Sequence, residues 1–226
     1  MSSNIHYEDI QRPDSVLIEG FRQIGTSTIG NVLDDLGIGG IMLNVKPLVP
    51  GMKFVGPAFT VKEITGTHGA YAASEFGLGK VIDNAQRGDV IAIDNGGQQV
   101  STWGGIASFA AQHRGVDGLL VDGGVRDADE ILEFGFPTFS RHVVPLSGKT
   151  RIKIIAIGST IKIDGVRVGP GDILIGDSSG VVCVPRDDAA RVLEISQQLE
   201  RDDRRALVDI EAGLSFTDAL AKFSKL

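Results

Sequence analysis

The chain has 226 residues, with 22 Lys and Arg against 29 Asp and Glu and a formal net charge of -7. This length suits one large α/β domain that buries roughly 70% of its unfolded surface and needs no disulfide or metal staple. The acidic balance argues against a general nucleic-acid binder, and no apolar run approaches the roughly 20 residues of a membrane span.

Residues 1–14 are polar, lack a signal-peptide core and read as an arm, so a cytoplasmic protein is expected. Ile18, Phe21 and Ile24, then Thr28, Val32 and Leu36, recur at helical spacing and predict a helix pair over 15–36. Gly37-Ile38-Gly39-Gly40 ends it, but follows a helix rather than a strand and lacks the order of a nucleotide-binding loop. The same absence removes support for a methyltransferase.

Residues 54–63 have the composition of a strand, with Gly56-Pro57 as a bend or edge. Residues 69–84 read as a helix ending at Arg87-Gly88. Asp89–Asp94 is a nearly continuous apolar strand, hence buried on both faces and parallel, and Asn95-Gly96-Gly97 closes it. A helix over 106–113, a second buried strand over 118–121 and a helix over 128–134 follow, leading into Pro137-Thr138-Phe139.

After Ser147-Gly148-Lys149 the pattern alternates. Ile152, Ile154 and Ala156, Ile161 and Ile163, and Val166 and Val168 predict antiparallel strands with a tight turn at Asp164-Gly165. Residues 170–180 give a strand and a turn before Val181–Val184, which carries the single cysteine, Cys183, read as a buried inert thiol. Charged helices broken near Gly213 fill 187–224. The expectation is a single domain over 1–226, with a core over about 15–186 and a helical C-terminal extension over 187–226. A mixed sheet and a second β layer would form that core.

The strand at 118–121 runs into Asp122-Gly123-Gly124-Val125-Arg126-Asp127-Ala128-Asp129-Glu130. The apolar run would end at the glycine pair, at the carboxyl end of a strand, where open α/β sheets bind ligands. Arg126 precedes a helix start, whose partial positive charge disfavours a cation, so it has an anion to meet. Asp127-x-x-Glu130 is equally a helix N-cap with its capping box, and Arg126 could simply pair with Glu130. A second loop, Ser101-Thr102-Trp103-Gly104-Gly105, precedes the helix that starts near Ile106. Backbone N–H groups of Gly104, Gly105 and Ile106 would form an anion site there. If the two buried strands are neighbours, one crevice holds N–H groups for a carboxylate, a guanidinium for the next oxygen and an acid for a divalent metal. That set suits a 2-oxo acid.

Gly105, then twenty residues, Arg126-Asp127, two residues and Glu130 resembles the pattern of a known family. It joins the class II 4-hydroxy-4-methyl-2-oxoglutarate aldolases to the RraA-like proteins, regulators of ribonuclease activity. Thr26-Ser27-Thr28 with Asp34-x-x-Gly37, Gly56-Pro57-Ala58-x-Thr60, Gly88-Asp89-Val90, Asp94-x-Gly96-Gly97, Pro170-Gly171-Asp172 and Asp177-x-x-Gly180-Val181 extend the match over roughly residues 20–190. The resemblance implies a swivelling β/β/α three-layer domain, assembled as a homotrimer or homohexamer with sites at subunit interfaces. It implies that Asp127 ligates Mg²⁺ or Mn²⁺, that Arg126 contacts the oxo-acid oxygen, and that Gly104–Ile106 holds the substrate carboxylate. Glu130 would hold a metal-bound water. The implied activities are retro-aldol cleavage of 4-hydroxy-2-oxo acids to pyruvate and decarboxylation of oxaloacetate. The alternative is a non-catalytic ring that inhibits a ribonuclease or another protein. Glu130 favours the enzyme, since regulator-type members can lack an acid there.

The chain departs from the family at Gly105, where many members carry an acid. The aldolases also take a carboxylate from a neighbour's C-terminal helix. Glu200 and Asp203 are the candidates, although a solvated helix face explains both. Asp122 is a further candidate for holding water, against a turn-forming role. Arg141 is a candidate for a distal substrate carboxylate. Trp103 walls the pocket or packs on a neighbour, and His68, His113 and His142 show no ligand spacing and read as structural.

Overall fold

The computed structural model describes residues 5–223. Its centre is the predicted pair of buried strands. Val90–Asp94 and Gly118–Val125 pair in parallel, from Val90 opposite Gly118 to Asp94 opposite Asp122. Every residue of both strands is buried, as runs apolar on both faces require. Phe54–Thr65 flanks the pair on one side and Thr138–Val143 on the other, both parallel.

Side-chain alternation assigns the two faces. Phe59, Val61, Ile91, Ile93, Leu119 and Val121 pack against helical residues including Val81, Ala111 and Ile131. Ala58, Val90, Ala92 and Leu120 face the other way, onto Ile161, Ile163 and Val168. The latter belong to the predicted hairpin, whose turn residues Asp164 (φ 50) and Gly165 (φ 84) both take the positive φ of a two-residue hairpin loop.

Phe54–Thr65 is the frame of the molecule. Its first residues pair antiparallel with Ile173–Gly176, the stretch from Ala58 pairs with Val90–Asp94, and the stretch from Val61 pairs antiparallel with Ile152–Ile157. Gly56-Pro57 is therefore interior, where the strand changes neighbours, and not an edge. A side chain at Gly56 would collide with the Gly88 carbonyl. Strand Val181–Val184 extends this arm, and the whole is an eleven-stranded mixed sheet. The arm before residue 15 contributes His6–Tyr7 to its edge beside Ala156 and Ile157, while residues 1–4 lie outside the described residues.

The helix pair forms as Ser15–Phe21 and Thr26–Asp35. The second buries Thr26, Ile29, Gly30, Val32 and Leu33, a face turned slightly from the one predicted, which leaves Thr28 and Leu36 half-buried. Its N-cap, Gly25, has no side chain to offer. Asp177 substitutes from a distant turn, accepting the Thr26 N–H at 2.9 Å and its hydroxyl at 2.7 Å. Both helices pack with Ala189–Glu211 over Val55, Ile173, Ile175 and Val182. The extension breaks at Gly213 (φ 105) before Phe216–Lys222; residue 224 of the predicted helix lies outside the described residues. No helix among the described residues is long and apolar enough to cross a membrane.

Two expectations need correction. The helix over 69–84 is confined to Leu78–Asn84, after a single 3-10 turn at Ala73–Glu75. Gly69 (φ 84) and Gly77 (φ 67) place left-handed residues where a helix would run. The glycine pair Gly123-Gly124 does not end its strand, which continues to Val125. A Cβ on Gly123 would lie 2.9 Å from Asn95 Cβ, and one on Gly124 would lie 2.9 Å from the Val100 carbonyl. The glycines admit a crossing segment, and Ser101–Trp103, read as loop, forms a short parallel strand against Gly124 and Val125.

Candidate active site

This crossing brings the two predicted loops together. Helix Gly105–Arg114 starts where the short strand ends, and helix Ala128–Phe134 starts just past the end of Gly118–Val125. Arg126 N–H donates to the Trp103 carbonyl at 2.9 Å and ties one helix start to the other. Between them and helix Leu78–Asn84 lies a cleft of about 600 Å³, lined by Thr102, Gly104, Ile106, Arg126, Asp127 and Glu130 among others.

The glycines of the first loop are required by the acids of the second. A Cβ on Gly104 would strike Asp127 Oδ2 and come within 3.2 Å of Arg126 Cγ and Nε; one on Gly105 would overlap the Glu130 carboxylate. Both carboxylates thus lie on the N-terminus of the Gly105–Arg114 helix, whose partial charge favours them. The Gly105 N–H donates to Asp127 Oδ2 at 3.2 Å. That group is spent on the protein's own acid, leaving Gly104 and Ile106 of the three predicted donors.

Asp127 occupies the N-cap position, but its side chain makes no capping bond and the expected capping box does not form. Its backbone is left-handed (φ 55, ψ 41), a conformation costing a non-glycine residue about 1 kcal/mol. The strain turns the carboxylate away from its own helix and onto the neighbouring one. Arg126 Nε lies 3.4 Å from Asp127 Oδ2, and the arginine side chain remains 46% exposed. Its ion pair is with Asp127, not Glu130.

The model of the RraA-like family (Aldolase/RraA) matches residues 26–183. The chain belongs to the RraA-like family. It is 33% identical over 197 residues to a putative 4-hydroxy-4-methyl-2-oxoglutarate aldolase of Halalkalibacterium halodurans, covering 85% of this chain and 89% of that protein. It is 31% identical over 208 residues to protein DlpA of Legionella pneumophila, covering 90% of this chain but spanning only 33% of that longer protein. Among solved structures, an uncharacterized protein from Pseudomonas syringae superimposes with a TM-score of 0.83 at 30% identity, over 92% of this chain and 98% of that one.

For this RraA-like chain the remaining candidates, Trp103 apart, fall outside the cleft. Arg141 Nε donates to Asp122 Oδ1 at 2.6 Å and Nη2 to Asp164 Oδ1 at 2.8 Å, and Asp122 Oδ2 accepts the Asp164 N–H at 3.0 Å. The cluster pins the hairpin to the sheet, so Arg141 is committed within the protein and Asp122 neither forms a turn nor lines the cleft. Burial works against the Asp164 charge, but hydrogen bonds from Asn44 and Leu43 and the nearby Arg141 outweigh it and hold the carboxyl below its usual range. Trp103 is 1% exposed, donates to Ser108 Oγ at 2.8 Å and stacks on Phe136, so it lines the cleft as a wall anchored in this chain's own core. His113 stacks on Phe109, His142 Nε2 lies 3.2 Å from the Gly97 carbonyl, and His68 is exposed. Burial pushes the Cys183 thiol well up, as an inert cysteine requires.

Within one chain the C-terminal acids do not line the cleft. Glu200 accepts the Thr28 hydroxyl at 3.1 Å, and Asp203 borders a separate groove with Arg191 and Lys222. Burial, then Glu200 and Asp202, raise the Asp203 carboxyl above its usual range.

Among the described residues no group of three or more His, Cys, Asp or Glu could cage a metal ion. The donor set still fits a hard divalent cation, because Mg²⁺ retains several waters and is held through one or two carboxylates plus substrate. Asp127 and Glu130, both lining the cleft beside the glycine pair, are such oxygen donors.

Glu63 and Thr102 carry no sequence motif that marks them as site residues. Glu63 is 2% exposed and accepts the hydroxyl of Thr102, which lines the cleft. Burial pushes the Glu63 carboxyl up to about 8; Asp94 acts in the same direction, while Thr102 and Lys62 oppose it. The signal was its parity, since position 63 follows Phe59 and Val61 on the inward side of the strand.

Proposed function

We propose that the protein is a divalent-metal-dependent lyase that breaks a C–C bond of a short 2-oxo acid and releases pyruvate. Its reactions are retro-aldol cleavage of the 4-hydroxy-4-methyl-2-oxoglutarate type, decarboxylation of oxaloacetate, or both. The supporting observation is the convergence of Arg126, Asp127 and Glu130 on the Gly104-Gly105 pair in one cleft. A protein-binding ring has no need of that convergence.

Both reactions leave the electron pair of the broken bond on the pyruvate fragment, with charge gathering on its C2 oxygen. The half-exposed Arg126 guanidinium meets that oxygen, and a fixed cation there stabilises the transition state more than the ground state. The N–H groups of Gly104 and Ile106 hold the substrate carboxylate at the helix N-terminus. A bound Mg²⁺ or Mn²⁺ supplies Lewis-acid polarisation of the same oxygen. Asp127 would hold the ion and Glu130 one of its waters.

We read the layering of hairpin, sheet and helices as the swivelling β/β/α arrangement, and the assembly as a homotrimer or homohexamer. Ile106 is 86% and Phe109 57% exposed on the helix that opens the cleft, and Val143 and Leu146 are exposed as well. Apolar side chains so placed suit a second copy of the chain, which would bring its Glu200 or Asp203 to the cleft.

The deciding experiment is pyruvate release from oxaloacetate and a panel of 4-hydroxy-2-oxo acids, with and without Mg²⁺ or Mn²⁺. Activity that appears with metal and vanishes in EDTA is expected. Activity indifferent to metal, or none with any substrate, overturns the reading.

A further inference from the structure

Three buried side-chain oxygens among the described residues have no hydrogen-bond partner, on Thr60, Glu63 and Ser196. Only Glu63 Oε2 belongs to an acid. Its other oxygen accepts from Thr102, two residues before Gly104, so the carboxyl stands directly behind the cleft wall. Holding the sheet together does not call for it, since an apolar side chain would fill a buried site at less cost than a half-satisfied acid.

We propose that Glu63 is a positioning residue for the anion-binding end of the cleft, acting through Thr102 as an uncharged hydrogen-bond partner. The proposal rests on the lyase reading, which puts the substrate carboxylate at Gly104 and Ile106. Burial is the main cause keeping the proton on Glu63, with its carboxyl pushed up to about 8. The charged groups around it are largely paired among themselves. Lys62 and Asp94 meet at 2.7 Å, and Lys153, from the antiparallel neighbour strand, pairs with Glu75 at 2.7 Å. The Ser101–Trp103 strand brings no charge. While Glu63 is uncharged it accepts the Thr102 hydroxyl without placing charge behind the wall, and the cleft stays open to an anion. Once ionised, Glu63 puts an uncompensated negative charge behind a site built for a carboxylate, and binding weakens.

The test is calorimetric affinity for oxalate, which presents adjacent oxygens like those of a 2-oxo acid, at saturating Mg²⁺ and at pH 7 and pH 9. In the wild type Kd should rise roughly five-fold or more over this range, the size expected for a like charge behind the Thr102 wall of the site. In Glu63→Gln, which keeps the shape and a hydrogen-bonding group but does not titrate, the rise should be less than about two-fold. Thr102→Val removes the bond that favours the charged acid, so its weakening should begin at higher pH. A purely structural role for Glu63 leaves the pH dependence alike in wild type and Glu63→Gln, which overturns the proposal and spares the lyase reading. Should Glu63→Gln fail to fold, an unmoved onset in Thr102→Val overturns it equally. Oxalate binding absent from all three proteins overturns both.

Discussion

The Glu130 carboxylate occupies the space that a side chain on Gly105 would fill. The acid beside this glycine arrives from the facing helix, Ala128–Phe134. Gly105→Asp would force two carboxylates into one place and displace Glu130. A loss of about 100-fold in pyruvate release is expected, the scale of an ångström-sized misplacement of a site group. Full activity in this variant would show that Glu130 does not need its present position.

Arg126→Ala and Asp127→Asn should each lower pyruvate release by roughly 100-fold or more, as removal of a charge-stabilising group does. Their stabilities should differ from a simple capping prediction. Asp127 makes no capping bond, and asparagine tolerates the left-handed backbone, so Asp127→Asn should fold with nearly wild-type stability. Asp127→Ala should lose about 1 kcal/mol more, because alanine tolerates the positive φ less well than aspartate or asparagine. Urea unfolding checks both, and equal stability of the two variants would contradict the strain assigned to Asp127.

Glu63 also makes stability depend on pH. Its folded carboxyl is raised to about 8 from an ordinary value of 4.5, so the folded protein holds a proton that the unfolded chain releases. The contribution is fully present below about pH 4.5 and is lost as pH rises, by up to about 1.4 kcal/mol per unit, until it levels off near 8. Glu63→Gln should remove this slope. Denaturation midpoints of the two proteins compared between pH 5 and 8 should diverge steadily; parallel curves would place the Glu63 proton elsewhere.

Arg141 should matter for folding and not for substrate. Replacing it by Met leaves Asp122 and Asp164 without their shared cation and should cost about 2 kcal/mol, less than breaking a fully buried pair because the Arg141 side chain is 25% exposed. Pyruvate formation per folded molecule should keep its KM. A raised KM with unchanged stability would return Arg141 to the list of substrate contacts.

Ile106→Glu together with Phe109→Glu should shift the protein to a smaller species in sedimentation, since both side chains are exposed at the proposed subunit contact. An unchanged sedimentation coefficient would exclude this face as the interface.

The sequence by itself determined the buried parallel strands, the hairpin with its Asp164-Gly165 turn, the broken C-terminal helices and the Gly105, Arg126-Asp127, Glu130 pattern. These are local signals, carried by side-chain periodicity, turn chemistry and fixed spacing. Tertiary structure decided what each group does. Gly123-Gly124 looked like a strand end because nothing nearby in sequence announces the segment that crosses it. Asp127 looked like a cap because the N–H that claims its carboxylate belongs to Gly105, twenty-two residues earlier. Glu63 looked like an ordinary strand residue because its burial behind Thr102 depends on a pairing thirty-nine residues away. Charge and hydrogen bonding act through space, so a carboxylate's role is set by whatever the fold brings within about 3 Å of it.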